Sequence, residues 1–398
     1  MHKFHPLAGA AVAALALCGT SAQAQDKVTI GFLTDMSTVY ADLDGKVGAT
    51  AIQMAIDDFG GKVNGKPIQL LAADNLNKAD VALSKAREWY DTENMSMLIG
   101  GTNSAAALGL AKLSAEKKRP FIVNGSGSSA LTNEQCNPYT IHYAWDSVAL
   151  AKGTAAALTR QGSKNWFMLV ADYAFGHAMQ ADATKAIEAN GGKVIGVARH
   201  PLNVPDFSSF LLQAQNAKPQ VLGFVNAGGD FANALKSARE FGLDSSIKLA
   251  SLVLFISDVH GMGLAQTQGL QFTTSWDWSL NEETRAFGRK FFAKTKRMPT
   301  DVQAANYSAT MQYLKAVQAT QSTDGDKIMA YLKSNPIKDF FAQGVIRPDG
   351  RYVHDMYLME VKKPAESTQP WDYVKRVATL KGNEVFTTKA ESKCTLWQ

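Results

Sequence analysis

Apolar and polar positions along the chain alternate between two rhythms. Val28-Thr-Ile-Gly-Phe-Leu-Thr is a continuous apolar run with β-branched residues, the pattern of a buried strand. Asp44 to Phe59 follows with Val47, Ala51, Met54, Ala55 and Phe59 at helical spacing. Asn64-Gly65 marks a turn, and Pro67-Ile-Gln-Leu-Leu-Ala-Ala predicts the next strand. A polar helix over 78–92 leads to the strand Ser96-Met-Leu-Ile-Gly. A helix over 105–116 and the strand Arg119-Pro-Phe-Ile-Val-Asn complete the run. The rhythm then restarts. Helices are predicted over 148–160, 178–190, 207–216 and 230–242, with strands over 165–170, 193–198, 220–225 and 248–254. Such repeats mean two α/β bodies, each a parallel sheet covered on both faces. The remainder makes no third body: a strand over 269–275, helices over 282–296, 304–320 and 326–333, and hairpin strands around Pro348-Asp-Gly350 and Met356 to Val361.

The start of the chain bears on compartment. Lys3 precedes the apolar run Leu7 to Leu17, and Ala22-Gln23-Ala24 ends it with small residues. This is the layout of a secretory leader cleaved after Ala24, and the run is shorter than the roughly 20 residues that cross a bilayer. Leu17 stands where a small residue would precede a lipidated Cys18. The expected location is periplasmic. Two cysteines remain, Cys136 and Cys394, and in an oxidising compartment they read as one disulfide, the alternative being two separate thiols.

Losing the leader removes one Lys and no acid, so the net charge of +5 becomes +4. No charge block or basic stripe points to nucleic acid. With 46% hydrophobic and 19% charged residues in 398, the chain suits a two-domain globular protein.

Ligands of open parallel sheets sit beyond the carboxyl ends of the strands, so the loops there are the candidates. Gly100-Gly-Thr-Asn-Ser104 and Asn124-Gly-Ser-Gly-Ser-Ser129 offer small hydroxyls, amides and a helix start, which together hold a carboxylate. In the second body, Ala171-Asp-Tyr-Ala-Phe-Gly-His177 and Asn226-Ala-Gly-Gly-Asp230 occupy the same position. Tyr173 and Phe175 suit stacking on a flat ligand, and Asp230 reads as a helix N-cap. Trp276 and Trp278 flank Asp277 on an extended segment, which would turn both indoles to one wall.

Other motifs fail on context. Gly125-x-Gly127-x-x-Ala130, with Asp146 at the acid spacing, lacks the helix a dinucleotide site needs before Cys136-Asn-Pro138. His142, His177, His200, His260 and His354 show no metal-ligand spacing, and Asp42-x-Asp44-Gly45 lacks the later ligands of a calcium loop. Asp57 and Asp58 read as solvated. No nucleophile pairs with a base, so no enzyme activity and no cofactor are expected.

These loops in this order, with Ile30-Gly-Phe-Leu-Thr-Asp and Tyr40, Ile99-Gly-Gly with Ser104, Leu131-Thr132, and Tyr307 in the late helix, resemble type I periplasmic solute-binding proteins of the Leu/Ile/Val-binding family. The resemblance spans the mature chain. It implies two lobes joined by a three-segment hinge, residues 26–146 plus 275–352 and residues 147–274 plus 353–398. It implies carboxylate binding at Asn103 or Ser104 and Ser126 or Ser128, with Tyr40 and Tyr173 facing each other over the ligand; the strand-end loops add Phe175, Asn226, Trp276 and Trp278 as further candidate contacts. It also implies a monomer that delivers a small organic carboxylate to an inner-membrane ABC permease with cytoplasmic ATPase subunits. No acid is placed for an ammonium, and the aromatic loops look like the branch that takes aromatic carboxylates. The alternatives are a branched-chain or other amino acid ligand, or a sensor feeding a receptor.

Overall fold

Phe32 and Leu33 are neighbours in one strand and point to opposite faces of the sheet. Phe32 packs with Ile30, Ile52 and Tyr313, whereas Leu33 packs with Ala86, Trp89 and Leu110. One strand therefore organises two apolar layers. The computed structural model describes residues 1–2 and 26–398; the expected leader, apart from its first two residues, lies outside the described residues, as does Cys18.

The first sheet joins Val28–Thr34 (β1), Lys62–Val63 (β2), Lys66–Asp74 (β3), Met97–Gly100 (β4), Phe121–Val123 (β5) and Thr140–His142 (β6) in the order β2-β3-β1-β4-β5-β6. All pairs are parallel except β2 with β3. That hairpin turns on Asn64 and Gly65, both with positive φ (51° and 78°), as the Asn-Gly dipeptide predicts. Helices Gly45–Asp58 and Asp301–Thr320 cover one face, and Ala79–Thr92 and Ser104–Glu116 the other.

The second sheet joins Asn165–Ala171 (β7), Lys193–His200 (β8), Val221–Val225 (β9) and Lys248–Ser251 (β10) in the order β10-β9-β7-β8, all parallel. Trp166, Met168 and Val170 face helix Ala174–Ala189, while Phe167 and Leu169 face Phe207, Leu211 and Phe231. The late segments add two antiparallel sheets. One holds Gln271–Thr274 (β11), Met356–Val361 (β15) and Val374–Leu380 (β16), and the other Ile337–Lys338 (β12), Gln343–Ile346 (β13) and Tyr352–His354 (β14). The fold is the two-lobed α/β architecture expected from the sequence.

Three differences from expectation matter for the site. Helix Ala174–Ala189 starts four residues early, so Phe175 and His177 lie on its first turn. Gly176 permits this, because a Cβ there would overlap the Ala171 carbonyl. Asp230 is not the N-cap of its helix: Ala227 is, and the Asp230 carboxylate accepts from the Asn203 amide at 3.2 Å. Strand β6 and helix Ile256–Met262 were not expected at all.

Where the chain passes between the sheets, buried polar groups hold it. Arg351 is fully buried and donates to the carbonyls of Tyr143 (2.7 Å) and Tyr352 (2.9 Å). Its guanidinium lies 3.6 Å from the Asp146 carboxylate and stacks on Phe386 at 4.3 Å. A ring nitrogen of His354 bonds the Ala144 carbonyl at 2.9 Å. Segment 143–146 is thus fixed to segment 351–354.

After β16 the tail returns to the first body. Thr387 accepts from Arg347 at 2.7 Å, Cys394 is bonded to Cys136, and Arg347 stacks on Trp397 at 3.9 Å. Glu391 on the way pairs with Lys152 at 3.0 Å and Lys185 at 3.6 Å. Among the described residues, no helix is long and apolar enough to cross a membrane.

The disulfide closes a loop of 258 residues, and a cross-link of that span removes much freedom from the unfolded chain. Cys394→Ser is expected to lower unfolding free energy by about 2–5 kcal/mol in urea melts, and reduction of the wild type should reproduce the loss.

Candidate functional site

The carboxyl ends of β1, β4, β5 and β6 face those of β7, β9 and β10 across a narrow gap. The first body contributes Tyr40, Leu43, Thr102, Gly125, Gly127 and Trp145 to its lining. The second contributes Tyr173, Phe175, Ala227, Val253 and Phe255. The lining contains five rings and no charged side chain. The space between these surfaces is about 250 Å³ and is so narrow that it admits about one water. A ring-sized molecule can enter only when the two halves part.

Three contacts hold the halves together. The Tyr40 and Tyr173 hydroxyls share a hydrogen bond of 2.7 Å. The Gly229 amide donates to the Val39 carbonyl at 3.0 Å. Ser129, after β5, donates at 2.9 Å to Asp182 on helix Ala174–Ala189, and Ser147 donates to the same oxygen at 2.5 Å. Burial pushes both tyrosine hydroxyls up in pKa, with Tyr173 adding to the rise at Tyr40 while the bond from Tyr40 opposes it at Tyr173, so both stay protonated. Gly228 has a φ of 57° and presses against the Val39 carbonyl, where any Cβ would collide. The glycine at 228 therefore lets backbone meet backbone across the gap.

A buried polar network lies beneath the first wall. Thr102 meets the Thr34 hydroxyl at 3.2 Å, and Thr34 donates to Asp44 at 2.9 Å. Asn306 donates to the other Asp44 oxygen at 2.7 Å and accepts from Asn124 at 2.6 Å. Burial pushes the Asp44 carboxyl up to about 7 against these two donors, which pull it down.

The residues singled out from sequence separate into groups. Tyr40, Tyr173 and Phe175 are brought together at the gap. Ser104 and Ser126 lie just behind it, fully buried, with Ser126 donating to Ser104 at 2.9 Å. Ser128 is buried beside Gly127 and leads a single 3-10 turn, Ser129–Thr132, so no phosphate-binding helix follows the glycines. The Asn103 side chain is committed elsewhere: it caps helix Ser104–Glu116 through the Ala106 amide (3.0 Å) and donates to Asn77 (2.7 Å). Asn226 is buried next to Ala227 and donates to His200 at 3.0 Å, where burial lowers the imidazole pKa.

Trp276 and Trp278 do not form a wall of the gap. Trp276 packs edge-on to Phe287 and Phe340 and donates to the Phe340 carbonyl at 3.2 Å. Trp278 donates to the Trp371 carbonyl at 3.1 Å. Both are core residues of the late segments. Asp58 is likewise not free in solvent, since Lys290 and Tyr307 both bond it. The gap residues that sequence reasoning missed are Leu43, Trp145, Val253 and Phe255, while Thr102 lies in a loop it had singled out. Trp145 and Phe255 follow β6 and β10, so the strand-end rule finds them once those strand ends are known.

A family model described as periplasmic binding protein matches residues 27–367. The chain is similar to the crystal structure of a periplasmic binding protein from Burkholderia mallei, with 58% identity over 94% of this chain and 100% of that one and a TM-score of 0.93. It is also similar to a branched-chain amino acid ABC transporter periplasmic ligand-binding protein from Burkholderia xenovorans LB400, with 39% identity over 94% and 100% of the two chains and a TM-score of 0.83. A third likeness is to an ABC-transporter solute-binding protein of Rhodopseudomonas palustris BisB5 in complex with 3,4-dihydroxybenzoic acid. There the identity is 23% over 89% and 98% of the chains, with a TM-score of 0.81, which shows the fold alone. No curated protein matches the chain.

Two predictions follow from this geometry. Gly228→Ala places a Cβ on the Val39 carbonyl and should keep the halves apart, seen as a larger radius of gyration in X-ray scattering. Gly229→Ala meets only Val39 side-chain and Cα atoms at 3.7 Å or more and should leave the radius unchanged. Asp44 supplies the second. Its carboxyl titrates near 3.8 when unfolded and about 7 when folded, so its contribution to stability is complete below pH 4 and is lost as pH rises through 7. Asp44→Asn should gain roughly 2–4 kcal/mol on the wild type between pH 5 and pH 8 in urea melts at the two pH values.

Proposed function

Because the chain belongs to the periplasmic binding protein family, we propose that it captures a small aromatic carboxylate between its lobes and presents it to an ABC permease. The observation that carries the ligand class is the lining of the gap: five rings, one threonine and two glycines, with no acid. A free amino acid brings an ammonium, and burying that charge without a carboxylate or several carbonyls is costly. A benzoate-like ligand brings only an apolar ring and one anionic group. The rings of Tyr40, Tyr173, Phe175 and Phe255 offer it faces and edges.

The carboxylate would be held on the first lobe. Helix Ser104–Glu116 begins there with its amides ahead of Ala106 unpaired within the helix, beside Thr102, whose own hydroxyl is bonded to Thr34. Ser104 and Ser126 back this corner with their shared hydrogen bond. The moving bodies are residues 26–146 plus 275–352 and residues 147–274 plus 353–398, with the last dozen residues strapped back onto the first by Cys394. Their closure excludes water, and the ligand stabilises the closed form through contacts absent from the open one. The leader over residues 1–24 would take the chain to the periplasm, where it acts as a monomer, without catalysis, and docks on a permease driven by cytoplasmic ATPase subunits.

One finding favours a second reading. The Burkholderia xenovorans protein, 39% identical, is described as the ligand-binding part of a branched-chain amino acid transporter. An amino acid ligand here would need its ammonium met by backbone carbonyls alone.

A thermal-shift panel decides between them. Benzoate and hydroxybenzoates are expected to raise the melting temperature, and at a hundredfold excess over Kd the stabilisation reaches about 2.7 kcal/mol. Leucine, isoleucine and valine should leave it unchanged; a shift with these and none with the aromatic acids would replace the aromatic reading by the second.

A further inference from the structure

Trp145 is 3% exposed and lines the gap beside Gly127, Phe175 and Phe255. Its indole N–H is buried and has no hydrogen-bond partner among the described residues. Three other buried indoles find carbonyls: Trp166 donates to Ser163, Trp276 to Phe340 and Trp278 to Trp371. A buried donor left unpaired is destabilising, and a phenylalanine would supply apolar surface at the same place without that cost. The unpaired group therefore calls for an acceptor from outside the fold.

We propose that the Trp145 indole N–H is a specificity-determining donor, which donates to an oxygen carried on the ring of the ligand. The proposal rests on the reading of the gap as an aromatic-carboxylate site and narrows it to ring-oxygenated acids. The wall around this group is apolar: the benzo edge of Trp145 lies against Gly127, and its ring centroid is 6.0 Å from that of Phe255. A single neutral N–H matches a hydroxyl or carbonyl oxygen better than a carboxylate, whose two oxygens take several donors. Trp145 lies on the crossing segment, between Tyr143 and Asp146, both held by Arg351. A ligand oxygen bound there is tied to the hinge as well as to the wall.

The test compares 4-hydroxybenzoate with benzoate on wild type and Trp145→Phe by calorimetry. The variant should weaken 4-hydroxybenzoate about tenfold and benzoate less than twofold. In protein labelled with 15N-tryptophan, the Trp145 indole resonance should move downfield with 4-hydroxybenzoate and stay near its place with benzoate. The signal is assigned by its absence in Trp145→Phe or, if that variant does not fold, in Trp145→Tyr. Binding of both benzoates to the wild type with an unmoved indole, or an equal loss for both in the variant, overturns the role of Trp145 and leaves the aromatic reading standing. Binding of leucine with no binding of either benzoate overturns the aromatic reading and this proposal together.

Discussion

The backbone bond from Gly229 to Val39 sets how closely the two sheets approach, and the aromatic gap exists because of that approach. Tyr40 and Tyr173 reach each other only when this contact is made, and Phe175 can lie against Gly127 only at the same separation. A larger residue than glycine at 228 would widen the gap by a whole carbon. The recognition surface is therefore divided between two bodies, and neither half alone encloses a ligand.

Much of this was legible in the chain. Strands β1, β4, β7 and β9 are short apolar runs rich in β-branched residues and aromatics, and burial on both faces leaves such runs little choice of structure. Tyr173 and Phe175 were found because a parallel sheet puts its loops at one end, and Tyr40 through the family resemblance. The failures have local causes. β6 has three residues, too few for a period to show, and missing it hid Trp145. β16 reads Val-Lys-Arg-Val-Ala-Thr-Leu on an exposed edge, where polar residues mask a strand. Trp276 and Trp278 have the spacing of a shared wall. Their acceptors, however, are carbonyls 64 and 93 residues away, and no local pattern reveals them.

The polar groups divide the labour differently from the apolar ones. Around the hinge they are buried and strongly bonded: Arg351 ties segments 143–146 and 351–354, and the neighbouring His354 is held neutral, its pKa lowered to about 4 by burial and the nearby guanidinium. Removing one partner there would strand a charge in the interior, at a cost of several kcal/mol. Across the gap the contacts are few and mostly uncharged, each worth about 1 kcal/mol. The crossing segments are thus firm while the faces they carry are only lightly latched.

That asymmetry is what a binding protein needs. A ligand shifts an equilibrium only by its differential affinity for the two forms, and moving a population from 1:99 to 99:1 takes about 5.5 kcal/mol. A gap closed by several buried ion pairs would stay shut without help and waste the ligand's contribution. One lined only by rings would close by burying them against each other, and it nearly does so here, with room left for about one water. An incoming ring replaces ring-on-ring contacts with contacts of the same kind, so apolar burial alone gives little preference for the closed form. The preference has to come from polar groups that find partners only when ligand is present and the lobes are shut. The unpaired N–H of Trp145 is such a group, and the amides of helix Ser104–Glu116 ahead of Ala106, which have no partner within the helix, are others.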